Sequence, residues 1–221
     1  MYLDKIIKDE INYSNIITVL HLPHKKILNT KDYFLLYLEE GGIYYAGCDE
    51  NSGKEEELCN KIKELNYRVL STPSEKVAKG LGSKHSQGYL QFVYRGEIIK
   101  ESDSKLKILK DEDLDYVQET YHKGEYIVNL HKNKKIWGYY ENNVLIGYVI
   151  EHSNGSTGGL FVKPEFRNKG YGTLILKEGY SKAKDYARFS QVAFDNISSI
   201  RVHEKLNCIK CNLTIYWNSN R

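Results

Sequence analysis

"TGGLFVKPEFRNKGYGTLIL", Thr157 to Leu176, is the stretch whose reading decides the fold. Its first six residues are apolar or β-tolerant, Pro164 ends that run, and from Tyr171 onward the apolar residues recur at helical spacing. Gly170 and Gly172 therefore lie where a strand hands over to a helix. A backbone that brings several N–H groups around one anion needs residues without a Cβ at the points of closest approach. The unpaired N–H groups and dipole of the first helical turn point at the same spot. Arg167 and Lys169 add positive charge beside it. Two familiar phosphate loops are excluded. A Walker loop needs lysine and then serine or threonine after its last glycine, where this chain has Thr173 and Leu174. The dinucleotide fingerprint needs glycine where Ile175 stands. What remains is R-x-x-G-x-G at a strand-to-helix junction, read as a phosphate cradle; a tight turn that binds nothing is the alternative.

Working outward, the second half opens with strand "LKIL" and helix "DEDLDYVQETYHK", whose acids sit in the first turn where the helix dipole favours them. The hairpin "KKIWGYYENNVLIGYVIEH" turns at Asn142 and Asn143. After the opening stretch come a helix running to about Ala187, strand "SQVAFD", helix "NISSIRVHEKLN" and strand "CIKCNLTIYW". The first half carries helical patterns at Tyr2 to Glu10 and Ser14 to Leu22, then the hairpin "DYFLLYLEEGGIYYAGC" about Gly41 and Gly42. The amphipathic helix "SGKEEELCNKIKELN" and strands at Tyr67 to Leu70 and Gly88 to Tyr94 complete it. A polar stretch, Gly96 to Ser104, separates the halves. Mostly antiparallel strands with inserted helices predict an α+β fold.

The 221 residues suffice for one large domain or two small ones. At 41% hydrophobic and 28% charged, with net charge +3, the composition is that of a soluble globular protein and demands no polyanionic partner. "HKNKK", His131 to Lys135, has no interleaved aromatics and reads as a solvated turn before a strand, not a nucleic-acid patch. No run of about 18 apolar residues predicts a membrane span, and "MYLDKIIKDEIN" lacks the apolar core of a secretory leader, so a cytoplasmic location is expected. There Cys48, Cys59, Cys208 and Cys211 are expected as thiols. "CIKC" finds no second CxxC, so no metal site is expected.

At this point the residues resemble the GNAT superfamily of acyl-CoA-dependent N-acyltransferases. "LFVKPEFRNKGYGTLIL" looks like that family's motif A, and "NISSIRVHEKLN" is similar to its N-x-x-[SA]-x-x-x-Y-x-K-x-G at Asn196, Ser199 and Lys205. The likeness spans residues 105–221, expected as a catalytic domain with a mixed, mostly antiparallel sheet flanked by helices. Residues 1–100 look like the smaller, degenerate GNAT-like half that precedes it in some members. The resemblance implies that backbone groups at Phe161 and Val162 hold the pantetheine arm as an added strand would. It implies that N–H groups of Asn168, Lys169, Gly170, Tyr171, Gly172 and Thr173 hold the pyrophosphate, with Arg167 framing the loop. It places Asn196 near the cofactor arm. In the first half the corresponding loop, "CDENSGKEEEL", carries Asp49, Glu50, Glu55, Glu56 and Glu57, which repel a pyrophosphate, so one CoA per chain is expected.

Transfer to an amine needs a neutral nucleophile, an oxyanion donor and a proton for the leaving thiolate. The family's usual proton-donating tyrosine matches His203 here. His203 is a candidate acid, and it also shares the inward face of its helix with Ser199, Val202 and Leu206, as a packed core residue would. The strand "TGGLFV" has no carboxylate, so Glu151 and Asp195 become the candidate bases acting through water. Asp195 can equally start the following helix. The family's glycine and aromatic after that helix are replaced by Asn207 and Cys208. The loop "KGLGSKHSQG", Lys79 to Gly88, reads as a mobile connection or a lid. The expected activity is transfer of an acetyl or short acyl group from acetyl-CoA or another acyl-CoA to a primary amine, small molecule or peptide, in a ternary complex. A non-catalytic acyl-CoA-binding module is the rival.

Overall fold

The computed structural model describes residues 1–220. In chain order the elements are α1 (Tyr2–Ile6), α2 (Ser14–His21), β1 (His24–Asn29), β2 (Tyr33–Leu38), β3 (Ile43–Cys48), α3 (Glu55–Glu64), β4 (Val69–Thr72), α4 (Glu75–Gly80) and β5 (His85–Val93). Then follow β6 (Leu106–Ile108), α5 (Leu114–Thr120), α6 (Glu125–Lys132), β7 (Ile136–Glu141), β8 (Val144–Glu151), β9 (Thr157–Val162), α7 (Tyr171–Lys182), β10 (Phe189–Ala193), α8 (Ile197–Lys205) and β11 (Ile209–Ser219). Two compact units result: Met1–Val93 with Gln191–Asn196 and Lys210–Arg221, and Tyr94–Ser190 with Ile197–Ile209. The mixed α+β class and mostly antiparallel pairing expected from the sequence are present.

The first unit is built on the sheet β1-β2-β3-β4-β11-β5-β10. β2 pairs antiparallel with β1 and β3, β3 runs parallel to β4 over Ile43–Tyr45, and β11 lies antiparallel to β4. The run "YFLLYL" is apolar at every position because β2 is covered on both faces. Tyr33 and Leu35 pack with Leu58 and Ile62 of α3, while Phe34, Leu36 and Leu38 pack with Leu3 of α1 and with Ile16 and Val19 of α2. Cys211 belongs to this unit and donates from Sγ to Ile11 O at 2.9 Å. All four cysteines are free thiols. No His, Cys, Asp and Glu group suited to a metal ion occurs among the described residues.

The second unit is built on the antiparallel sheet β6-β7-β8-β9. Ile146, Val149 and Leu160 face α7, packing with Ile175, Leu176 and Tyr180, and Val202 of α8 joins them. Leu145, Tyr148, Ile150 and Phe161 face the other way, with Val117 of α5 and with Ile127 and Leu130 of α6. Buried Glu178 on α7 fixes the sheet's first strand: its Oε2 accepts from Ser104 Oγ at 2.8 Å, Lys105 N at 2.7 Å and Leu106 N at 2.9 Å.

Several local expectations need correction. The helix after the cradle ends at Lys182, and a separate 3-10 turn covers Asp185–Ala187. The supposed solvated turn at His131 begins as helix, since α6 runs to Lys132, and His131 Nε2 lies 2.8 Å from Asp111 Oδ1. The loop Lys79 to Gly88 is partly ordered structure, because α4 extends to Gly80 and β5 begins at His85. No helix among the described residues is long and apolar enough to cross a membrane.

Candidate active site

The site is built where β9 ends and α7 begins. Lys163 to Arg167 turn through a short 3-10 segment at Pro164–Phe166, whose proline fixes the first position and cannot extend the ladder. Arg167 then folds back. Its Nε donates to Val162 O at 3.0 Å, and its guanidinium lies 5.4 Å from the Phe161 ring centre. Lys169 Nζ donates to Glu165 O at 3.0 Å. The two cations therefore brace the loop as well as charging it.

Asn168 (φ 61°) and Gly170 (φ 86°) are both left-handed, which turns successive N–H groups toward the same side. Gly170 is the N-cap of α7, no side chain caps that helix, and its first turn holds no acidic residue. A Cβ built on Gly170 would meet nothing within 4 Å, so the space in front of the helix is open backbone surface. Gly172 faces Val202 Cγ2 at 3.5 Å and Val162 Cγ2 at 3.8 Å, which lets α7 lie close to β9 and α8. An uncapped helix start with open space, adjacent positive charge and no acidic residue of its own in the first turn fits a pyrophosphate, the nearby Glu141 carboxylate being engaged by Tyr171 Oη at 2.7 Å. Phe161 and Val162 end β9, Arg167, Asn168, Lys169 and Gly170 lie in the loop, and Tyr171, Gly172 and Thr173 open α7.

β9 carries a feature that the strand pattern alone did not predict. Tyr148 pairs with Phe161 but Ile150 pairs with Gly158, so Gly159 and Leu160 together oppose Val149. Gly159 has φ 56°, and a Cβ there would lie 2.7 Å from Ile150 Cδ1. This is a β-bulge that only glycine fits, and it interrupts the ladder midway along β9. The dipeptide Gly158-Gly159 inside a strand pattern is the signal that points to it. β9 is the outermost strand of its sheet. Ser190 Oγ reaches Thr157 O at its start.

The candidate acid and bases sit on different elements. His203 on α8 is only 2% exposed, its Nδ1 is 2.7 Å from Ser199 O, and its ring meets Tyr180 edge-on at 6.4 Å. A neutral imidazole bonded in this way carries its proton on Nδ1, leaving Nε2 an acceptor. Burial pushes its pKa below the ordinary value, against the imidazolium that could donate. Glu151 ends β8 opposite Thr157, and its Oε1 lies 3.9 Å from Lys135 Nζ. Asp195 and Asn196 lie in the turn before α8, within the first unit, and Asn196 N donates to Ala193 O at 3.1 Å.

Residues 101–207 match the Acetyltransferase (GNAT) family. Among solved structures, a Drosophila protein is similar at 12% identity and TM-score 0.58, over 100% of this chain and 90% of that one. A GCN5-related N-acetyltransferase from Kribbella flavida is similar at 9% identity and TM-score 0.55, over 96% of this chain and 95% of that one. An acetyltransferase of the GNAT family from Colwellia psychrerythraea is similar at 14% identity and TM-score 0.50, over 94% of this chain and 89% of that one. At these identities the likeness concerns the fold. No curated protein matches the chain.

Proposed function

We propose that this chain, a member of the GNAT acetyltransferase family through residues 101–207, moves an acetyl or other short acyl group from CoA to a primary amine. The family match supports acyl-CoA-dependent N-acyltransfer in general. The observation that carries the finer reading is the uncapped, acid-free start of α7 beside the bulged edge strand β9. In this reading the N–H groups from Asn168 to Thr173 bind the pyrophosphate, Arg167 and Lys169 screen its charge, and the edge of β9 at Phe161 and Val162 pairs with the pantetheine amides, which take the place of Arg167 at Val162 O. The bound co-substrate supplies the activated acyl thioester, which the amine attacks directly, without a covalent enzyme intermediate. The acceptor is a small molecule or a peptide, and the reaction is placed in the cytoplasm, in keeping with the four free thiols.

One specific observation favours a second reading, a non-catalytic acyl-CoA-binding module. His203 spends its proton on Ser199 O, and β9 carries no carboxylate.

The test is thermal unfolding with CoA, acetyl-CoA and ADP, on the native chain and on Gly170→Asp, followed by a free-thiol assay against a panel of amines. At a ligand concentration of 100 Kd the expected stabilisation is about 2.7 kcal/mol, lost in the variant. Loss of stabilisation in Gly170→Asp together with acyl transfer to an amine supports the enzyme. Stabilisation without turnover supports the binding module, and no stabilisation overturns both.

A further inference from the structure

A second constellation lies in the same unit, on the opposite face of β8 and β9 from α7. His152, directly after β8, meets two tyrosines, Tyr121 at the end of α5 and Tyr126 in the first turn of α6. Tyr126 Oη is 2.8 Å from His152 Nδ1, with the two rings nearly parallel (8°) and their centres 6.2 Å apart. Tyr121 also meets the imidazole, with ring centres 6.2 Å apart and planes tilted by 38°. Both tyrosines are surface residues, 44% exposed for Tyr121 and 38% for Tyr126. The other edge of the imidazole rests on the bulged strand: a Cβ on Gly158 would lie 2.8 Å from His152 Nε2. Gly158 is thus glycine because the histidine occupies the volume a side chain would take. Phe161 shares this face of β9, stacked on Tyr148 at 5.4 Å and meeting Tyr116 at 6.0 Å.

Resting on the acyl-transfer reading above, we propose that His152 is the base that receives the acceptor amine's proton, with Tyr126 holding the ring in place through Nδ1. Three observations support it. The imidazole abuts Gly158, one residue before the bulge that breaks the β9 ladder. In the tautomer whose Nδ1–H donates to Tyr126 Oη, Nε2 keeps a lone pair beside the strand, and that is the tautomer the proposal requires. Burial pushes the imidazolium down to about 4, so the ring is neutral at physiological pH. Glu151, its neighbour, pairs with Lys135 instead.

In the step itself a neutral amine attacks the thioester carbonyl carbon, forming the C–N bond. As nitrogen becomes cationic its N–H acidifies, and Nε2 takes that proton. The C–S bond breaks, and the thiolate leaves and is protonated, from the imidazolium or from water, giving amide and free CoA. A depressed imidazolium suits this chemistry. Too weak a base to deprotonate a free ammonium ion, the imidazole acts only once the bond is forming and returns its proton readily.

The experiment uses the full chain and needs no knowledge of the acceptor. Diethyl pyrocarbonate, which modifies neutral imidazole nitrogen, is applied with and without saturating acetyl-CoA, and the modified histidines are mapped by mass spectrometry. His152 is expected to react readily in the free protein and at least about tenfold more slowly with acetyl-CoA, because its free nitrogen faces the reacting thioester. A His152 that is unreactive, or equally reactive with acetyl-CoA bound, overturns the assignment. The thermal shift produced by acetyl-CoA in His152→Gln and Tyr126→Phe is measured alongside and is expected to be unchanged. An intact shift with unprotected His152 sinks this inference alone, whereas loss of the shift in the native chain sinks the acyl-transfer reading beneath it. With any amine that turns over, His152→Gln is expected to lower kcat about a hundredfold, the ordinary worth of a general base. An unchanged kcat overturns the proposal.

Discussion

Two strand–loop–helix segments of this chain invite comparison: β3 leading to α3 in the first unit, and β9 leading to α7 in the second. Each follows a hairpin and precedes a strand, yet their loops are wired oppositely. After β3 the loop satisfies itself. Asp49 accepts from Asn51 N at 3.1 Å through its side chain and from Ser52 N at 2.9 Å through its carbonyl, and Ser52 Oγ accepts from Lys54 N at 3.2 Å. Glu55, Glu56 and Glu57 then fill the first turn of α3. After β9 no side chain caps the helix, its first turn holds no acid, and Asn168 and Gly170 are left-handed. The difference teaches that one topology leaves the helix start undecided, and that the local side chains either satisfy it internally, as after β3, or leave it uncapped, as after β9.

Glu178 offers the largest way to sharpen that contrast. α7 does contain a buried acid, far from its start, where it accepts three donors at the beginning of β6. Glu178→Ala strips the partner from buried groups, and chemical denaturation is expected to register a loss of about 3 kcal/mol, with CoA affinity changed little. A loss below about 1 kcal/mol would mean that water replaces the carboxylate easily.

A smaller effect is expected in the other loop. Ser52→Ala removes one acceptor and one donor, with an expected cost of about 1 kcal/mol. Calorimetric titration of this variant is expected to give one CoA per chain, as in the native protein, because the glutamates of α3 still repel phosphate. A second CoA equivalent in either protein would break the comparison.

The smallest effect concerns pH. Glu57 is held below its ordinary pKa by Tyr33 and Lys54, and Glu55 by Lys76. Carboxylates with depressed folded pKa values stabilise above the unfolded value and lose that contribution as pH falls through the folded one. The melting temperature of the native chain is therefore expected to fall more steeply below the ordinary 4.5 than that of a Glu55→Gln/Glu57→Gln double variant. Parallel curves would show that these exposed pairs contribute nothing measurable.

Legibility followed locality. The strand-to-helix junction was readable because its requirements lie within a few consecutive residues: a proline to stop the strand, glycines for the loop, and no acidic residue in the first helical turn. Strand β1, "HKKILN", and helix α4, "EKVAKG", escaped because neither is apolar enough to declare a period, and each is held by neighbours distant in sequence, Leu28 and Val77 joining the same core cluster. His152 escaped for the same reason. Nothing within "EHSNG" says that Tyr126 and Gly158 will flank it.

The sequence by itself determined the α+β class, most of the element types, the strand-to-helix junction with its two glycines and the acidic start of α3, because glycine, proline and charge act through the backbone they sit in. Only the tertiary structure decided that Lys210–Arg221 joins the first unit, that His203 spends its proton on its own helix, and that His152 stands against the bulge. Those outcomes depend on register and on side chains brought together across tens of residues, and a one-residue shift in pairing would reverse them.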